Sequence, residues 1–254
     1  NGEFTFFQIE HDLGYTFYWD SIKVYYEGNG TTTPDTPDTP DTPDTPTPAV
    51  TELSLIEGGK GKFSFVVASG YTGEVNKAIV EITTSLEKIG IEVETLQDTK
   101  DTVTECEVLV GSVGTRGDQY KIDEHSLGYE GYIIKLIDGK VLILGGSESA
   151  LLDAIAEFKK DILGLTKKTP SIDSAVMTEE KNVEKIQDDY TIKSVTIAES
   201  DLRDYVITTS GQAEAEETAR AIQEHFYKKI GVWLDIVDTA EGEKAISIIQ
   251  TNAK

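Results

Sequence analysis

Residues 31–48 read TTTPDTPDTPDTPDTPTP, and this run decides how everything around it can be organised. It holds six of the chain's seven prolines. Each proline fixes φ and removes a backbone donor, while threonine and aspartate bring nothing apolar to bury, so no compact core can absorb the segment. It is expected to stay extended at roughly 3.1 Å per residue, enough to hold two bodies about 50 Å apart. A disordered Thr/Pro/Asp linker, residues 28–49, therefore separates a short piece, residues 1–27, from the long remainder of the 254-residue chain. The first piece is too short to fold alone, and the chain opens at Asn1 inside what reads as a strand, so the expectation is a fragment of a longer protein.

Composition narrows the partners. With 46 acidic against 23 basic residues the net charge is −23, which leaves no basic patch to displace phosphate counterions and argues against nucleic acid. Anionic membrane surfaces are disfavoured for the same reason, and no run is long and apolar enough to suggest membrane insertion. The single cysteine, Cys106, stands in ECEVLVG, a buried-strand pattern, and rules out an internal disulfide. Pro/Thr linkers between modules are typical of secreted proteins, so the expected location is extracellular or at a cell surface, in a bacterium.

Before the linker, FTFFQIEHDLGYTFYWDSIKVYYEG gives two aromatic β segments broken at Asp12, Leu13 and Gly14. The second alternates with period two, as the last strand of a β-sandwich would. After the linker, LSLIEGGKGKFSFVVAS supplies strands, and Val75, Ile79, Ile82, Leu86 and Ile89 form one apolar stripe of a helix stopped at Gly90. Strands follow at IEVETL and CEVLVGSV. YIIKLIDGKVLILGG is a hairpin around Asp138-Gly139, and a final helix buries Leu151, Leu152, Ile155, Phe158 and Ile162 before Gly164. The order describes an α+β domain of two layers, strand and helix, over residues 50–165.

An internal repeat then begins. Ser69-Gly70 recurs as Ser210-Gly211, and Lys88-Ile89-Gly90 as Lys229-Ile230-Gly231, at one offset of 141 residues. Ala219, Ile222, Phe226 and Ile230 make the stripe of the second helix, with VWLDIV and AISIIQT after it. Residues 191–254 are read as a truncated second copy, and the polar segment 166–190, with Pro170, as a connector.

Gly111, Thr115, Arg116, Gly131, Tyr132, Ile134, Gly145, Gly146, Ser147, Glu157 and Phe158 carry a resemblance. Residues 50–165 resemble the non-catalytic α+β domain that precedes the barrel in alpha-glucuronidases and beta-hexosaminidase-like glycoside hydrolases. FYWDSIKVYYEG resembles the closing strand of jelly-roll carbohydrate-binding modules. The first resemblance implies that the parent protein is a glycoside hydrolase whose catalytic barrel lies downstream in the same chain. The second implies that Asp20 ligates a structural calcium, with no other cofactor expected.

Candidate sites are few. In residues 1–27, Tyr15, Phe17 and Trp19 could stack on pyranose rings, because aromatic faces meet the C–H side of sugars, and a polysaccharide or glycan is the expected partner. Alternation would turn half of the piece's aromatics Tyr15, Phe17, Tyr18, Trp19, Tyr25 and Tyr26 to the sandwich core instead. His11, His125 and His225 stand apart, without metal-ligand spacing. GGKGK at residues 58–62 lacks P-loop spacing, and neither Gly-x-Ser-x-Gly nor His-Glu-x-x-His occurs. Gly145-Gly146-Ser147 could offer backbone donors to an anion, or could cap a helix after a tight strand exit. Glycoside hydrolysis needs two carboxylates in a deep cleft, and one α+β domain with part of another supplies no barrel, so no catalytic residue is expected. The alternative is a non-enzymatic surface adhesin or scaffold whose α+β domains bind glycan or protein themselves.

Overall fold

The structure, a computed structural model, describes residues 51–68, 73–98, 102–117, 120, 122–209, 211, 213–240 and 244–248. The sandwich strands expected in 1–27 and the linker lie outside them. The fold is α+β, and the chain divides into two compact units, with the boundary between Asp189 and Tyr190.

The first unit opens with β1 (Glu52–Glu57) and β2 (Lys60–Gly61), a hairpin whose turn residues Gly58 and Gly59 both have positive φ. The remaining strands are β3 (Ser64–Val67), β4 (Glu94–Leu96), β5 (Glu107–Val110), β6 (Tyr132–Ile137), β7 (Lys140–Gly145), β8 (Ala175–Thr178) and β9 (Val183–Lys185). Six of them form one sheet in the order β4-β3-β5-β7-β6-β9, parallel from β4 through β7 and antiparallel where β6 and β9 join. The central strands are apolar on both sides because both sides are covered. Phe65, Val108, Val110, Ile134, Val141 and Ile143 face a core with the two long helices, while Val66, Leu109, Ile133, Leu142 and Leu144 face a second cluster with Val113 and Leu127.

The first helix, α1 (Gly73–Glu87), buries the predicted stripe Val75, Ile79, Ile82 and Leu86. Its end is closed at Gly90, φ +84°, with the amide of Ile91 reaching back to the carbonyl of Leu86 at 3.0 Å. A single turn, α2 (Gly114–Gly117), follows β5, and α3 (Glu148–Glu157) follows β7. Beyond Glu157 the backbone widens into a π turn, Phe158–Ile162, in which the amide of Leu163 bonds the carbonyl of Phe158 at 3.0 Å. Phe158 is fully buried, edge-on to Phe65 at 6.1 Å. Burying a side chain of that size contributes about 1.5–3 kcal/mol. Leu152, expected inside, is only partly buried.

Segment 166–190 is not a connector. Its polar letters hide two strands: β8 pairs antiparallel with β1, Leu53 opposite Met177, and β9 pairs antiparallel with β6, Tyr132 opposite Lys185. Gln187 is held as well, its amide bonding the carbonyl of Leu127 at 2.8 Å and its side-chain oxygen accepting from the Glu130 amide at 2.8 Å. The register of β1 against β8 shifts between Ser54 and Ile56. That bulge lets the neighbours Leu55 and Ile56 both reach full burial, which strict alternation would forbid.

In the second unit, β10 (Thr196–Ile197) and β11 (Ser200–Asp201) make a hairpin, and β12 (Tyr205–Thr208) leads through α4 (Ala213–Ile230) to β13 (Ile236–Val237) and β14 (Lys244–Ser247). β12 lies between β13 and β14, parallel to both, which is the arrangement of β3 between β4 and β5. Tyr205 and Ile207 join the core of α4 as Phe63 and Phe65 join that of α1. The matching strand positions are thus separated by an even number. An offset of 141 would turn every strand side chain to the wrong face, and the buried helix positions Val75, Ile79 and Ile82 match Ala215, Ala219 and Ile222 at 140, so the units differ by two residues between strand and helix.

Candidate functional site

In a parallel sheet, ligands meet the carboxyl ends of strands where the strand order reverses. In the first unit that place is between β3 and β5, since β4 lies on one side of β3 and β5 on the other. The described residues there are Ala68 at the end of β3, with Gly111, Ser112 and Val113 after β5. The Ser112 hydroxyl donates to Glu124 Oε2 at 2.5 Å, and the Gly111 amide donates to the Ile143 carbonyl at 2.8 Å. His125 Nδ1 faces Asp123 Oδ1 at 3.3 Å. Among the described residues no group of histidine, cysteine, aspartate or glutamate could hold a metal ion.

Several of the residues that carry the sequence resemblance have a local task in the fold. Gly131 has the Leu127 carbonyl where its Cβ would stand, 1.8 Å away, and Gly145 has the Leu151 amide at 2.3 Å. Any larger residue would push backbone apart. The Gly146 amide bonds the Gly131 carbonyl at 2.8 Å, and Ser147 caps α3, its hydroxyl accepting from the Ala150 amide at 3.2 Å. The strand-exit and capping role of Gly145-Gly146-Ser147 is therefore the one observed.

Arg116, Tyr132 and Glu157 belong to two charged clusters. On the sheet face without long helices, Glu107 is completely buried. Its Oε1 accepts from Arg116 Nη1 at 2.7 Å and from the Thr104 amide at 3.0 Å, and its Oε2 accepts from Lys140 Nζ. Arg116, with 3% of its side chain exposed, also places Nε 3.4 Å from Asp98 Oδ1. Two carboxylates and two cations share one enclosed region, so the charges are neutralised where water cannot screen them. On the opposite face, the Tyr132 hydroxyl donates to Glu157, and Lys185 donates both to that hydroxyl and to Glu157 Oε2, the latter at 2.7 Å. Lys185 Nζ also stands 4.6 Å from the centre of the Tyr132 ring. The hydrogen bond from Lys185 holds the Glu157 carboxyl below its ordinary value, with Tyr132 adding to the effect. Burial pushes the Tyr132 hydroxyl up, and its bond to Glu157 adds to this, so the phenol is not primed as a base or nucleophile. Bonding to Glu157 likewise raises Lys185 and keeps it an ammonium.

An open groove of about 720 Å³ lies at the amino ends of β3, β4 and β5, lined among others by Lys60, Lys62, Glu92, Glu94, Thr104 and Cys106. It is at the wrong end of the parallel strands for a switch-point site. Burial pushes the Cys106 thiol up to about 11, so it offers no thiolate near neutral pH.

Of the predicted site residues, Tyr15, Phe17, Trp19 and Asp20 all lie outside the described residues. The two charged clusters were not foreseen as clusters. Glu107 could have been noticed as a carboxylate inside an apolar strand run, whereas nothing in 166–190 marked Lys185.

No family model and no curated protein matches the chain. Among solved structures, the chain is similar to a GH138 enzyme targeting pectin rhamnogalacturonan II, at 12% identity and a TM-score of 0.29, over 58% of this chain and 13% of that one. It is also similar to CpGH84D, at 12% identity and a TM-score of 0.36, over 77% of this chain and 34% of that one. Both neighbours are glycoside hydrolase chains, and this chain spans about a third of the length of one and about an eighth of the other. Scores of this size carry no argument about activity.

Proposed function

We propose that this chain belongs to a modular, extracellular or cell-surface carbohydrate-active protein, in which residues 51–189 are an accessory domain without catalysis of their own. The observation that carries the reading is how the charged residues of the first unit are used. Glu107 closes on Arg116 and Lys140, and Glu157 closes on Tyr132 and Lys185. Cleaving a glycosidic bond needs two carboxyl groups facing one cleft, roughly 5–10 Å apart, one of them able to give up a proton. Here the buried carboxylate is sealed by cations of its own domain, and the half-exposed one is held in its ionised form.

On this reading Tyr15, Phe17 and Trp19 meet a polysaccharide, Asp20 helps to hold a structural calcium, and residues 191–254 are a partial second copy of the accessory domain. Catalysis belongs to another domain of the same protein, and the linker keeps it near the polymer by raising effective concentration. The test is retention of the purified chain on insoluble polysaccharides, together with turnover of nitrophenyl glycosides and glucuronides. Retention that Trp19→Ala abolishes, without release of nitrophenol, is the expected result. Turnover that a single carboxylate substitution within 51–189 abolishes would overturn the reading.

The shared arrangement of β3 and β12 favours a second reading, a scaffold or adhesin built from copies of one α+β unit. Retention on a glycan that survives Trp19→Ala but not removal of residues 190–254 would select it.

A further inference from the structure

We draw no further inference here: the strongest candidate, the aromatic surface patch beyond the carboxyl end of α4 where Trp233 meets Tyr227 edge-on and the Tyr190 ring lies against Gly231, carries nothing because no feature of the structure shows what covers it.

Discussion

Glu107 is the residue on which the polar cluster of the sheet face without long helices depends. Removing its charge leaves Arg116 and Lys140 facing each other in an enclosed region, and breaking a buried ion pair in this way costs about 3–5 kcal/mol. Glu107→Gln is therefore expected to lower the unfolding free energy of the first unit by an amount of that order, read in chemical denaturation as a lower urea midpoint at unchanged m-value. The strand pattern already places Glu107 on the same face as Leu109, so a buried partner was required by the sequence. Its identity was not legible, because Arg116 and Lys140 arrive from α2 and β7, and only the folded sheet brings them together. Cys106, next door, makes a simpler prediction. With its thiol pushed up to about 11 and its side chain buried, it should resist a disulfide reagent near neutral pH and react at once in denaturant. Prompt reaction in the native protein would mean that the amino end of β5 opens.

At the scale of elements, the Tyr132–Glu157–Lys185 clasp fastens the edge strand β9 to α3. Glu157 is lowered in the folded state, so its contribution to stability is present above the ordinary carboxylate value and is lost as pH falls through the lower folded value. Glu157→Gln should flatten the acid limb of the stability curve and speed amide exchange across Val183–Lys185. Because Lys185 is more than half exposed, the cost near neutral pH is about 1 kcal/mol or less. An acid limb identical to that of the parent would show that the clasp adds nothing. Elements with a long period or a strong turn were legible in the sequence: the α1 stripe ending at Gly90, and the β6–β7 hairpin at Asp138-Gly139, both with positive φ. The edge strands β8 and β9 were not. β8 buries only alternate side chains, β9 leaves Glu184 and Lys185 exposed, and both lie at sheet edges, so their sequences look like polar loop, and the bulge at Leu55 hides the alternation of β1.

At the scale of the molecule, the first unit ends near Asp189 and not near Gly164, where the apolar helix pattern stops. A version cut after Leu165 would expose the outer edges of β1 and β6 and uncover Leu53, Ile56 and Ile134, which β8 and β9 now pair. It is expected to aggregate or to melt without a cooperative transition, whereas a version carried to Asp189 should unfold in one step, as circular dichroism and size-exclusion chromatography would show. Equal behaviour of the two would mean that β8 and β9 are ornaments to a core already complete. The antiparallel pairing of β1 with β8 also sets a timetable for synthesis. As the chain leaves the ribosome, Leu55 and Ile56 emerge early, but the strand that closes over them comes only with Ala175–Thr178. The nascent domain must keep these residues from other apolar surfaces until almost its last residue has been made.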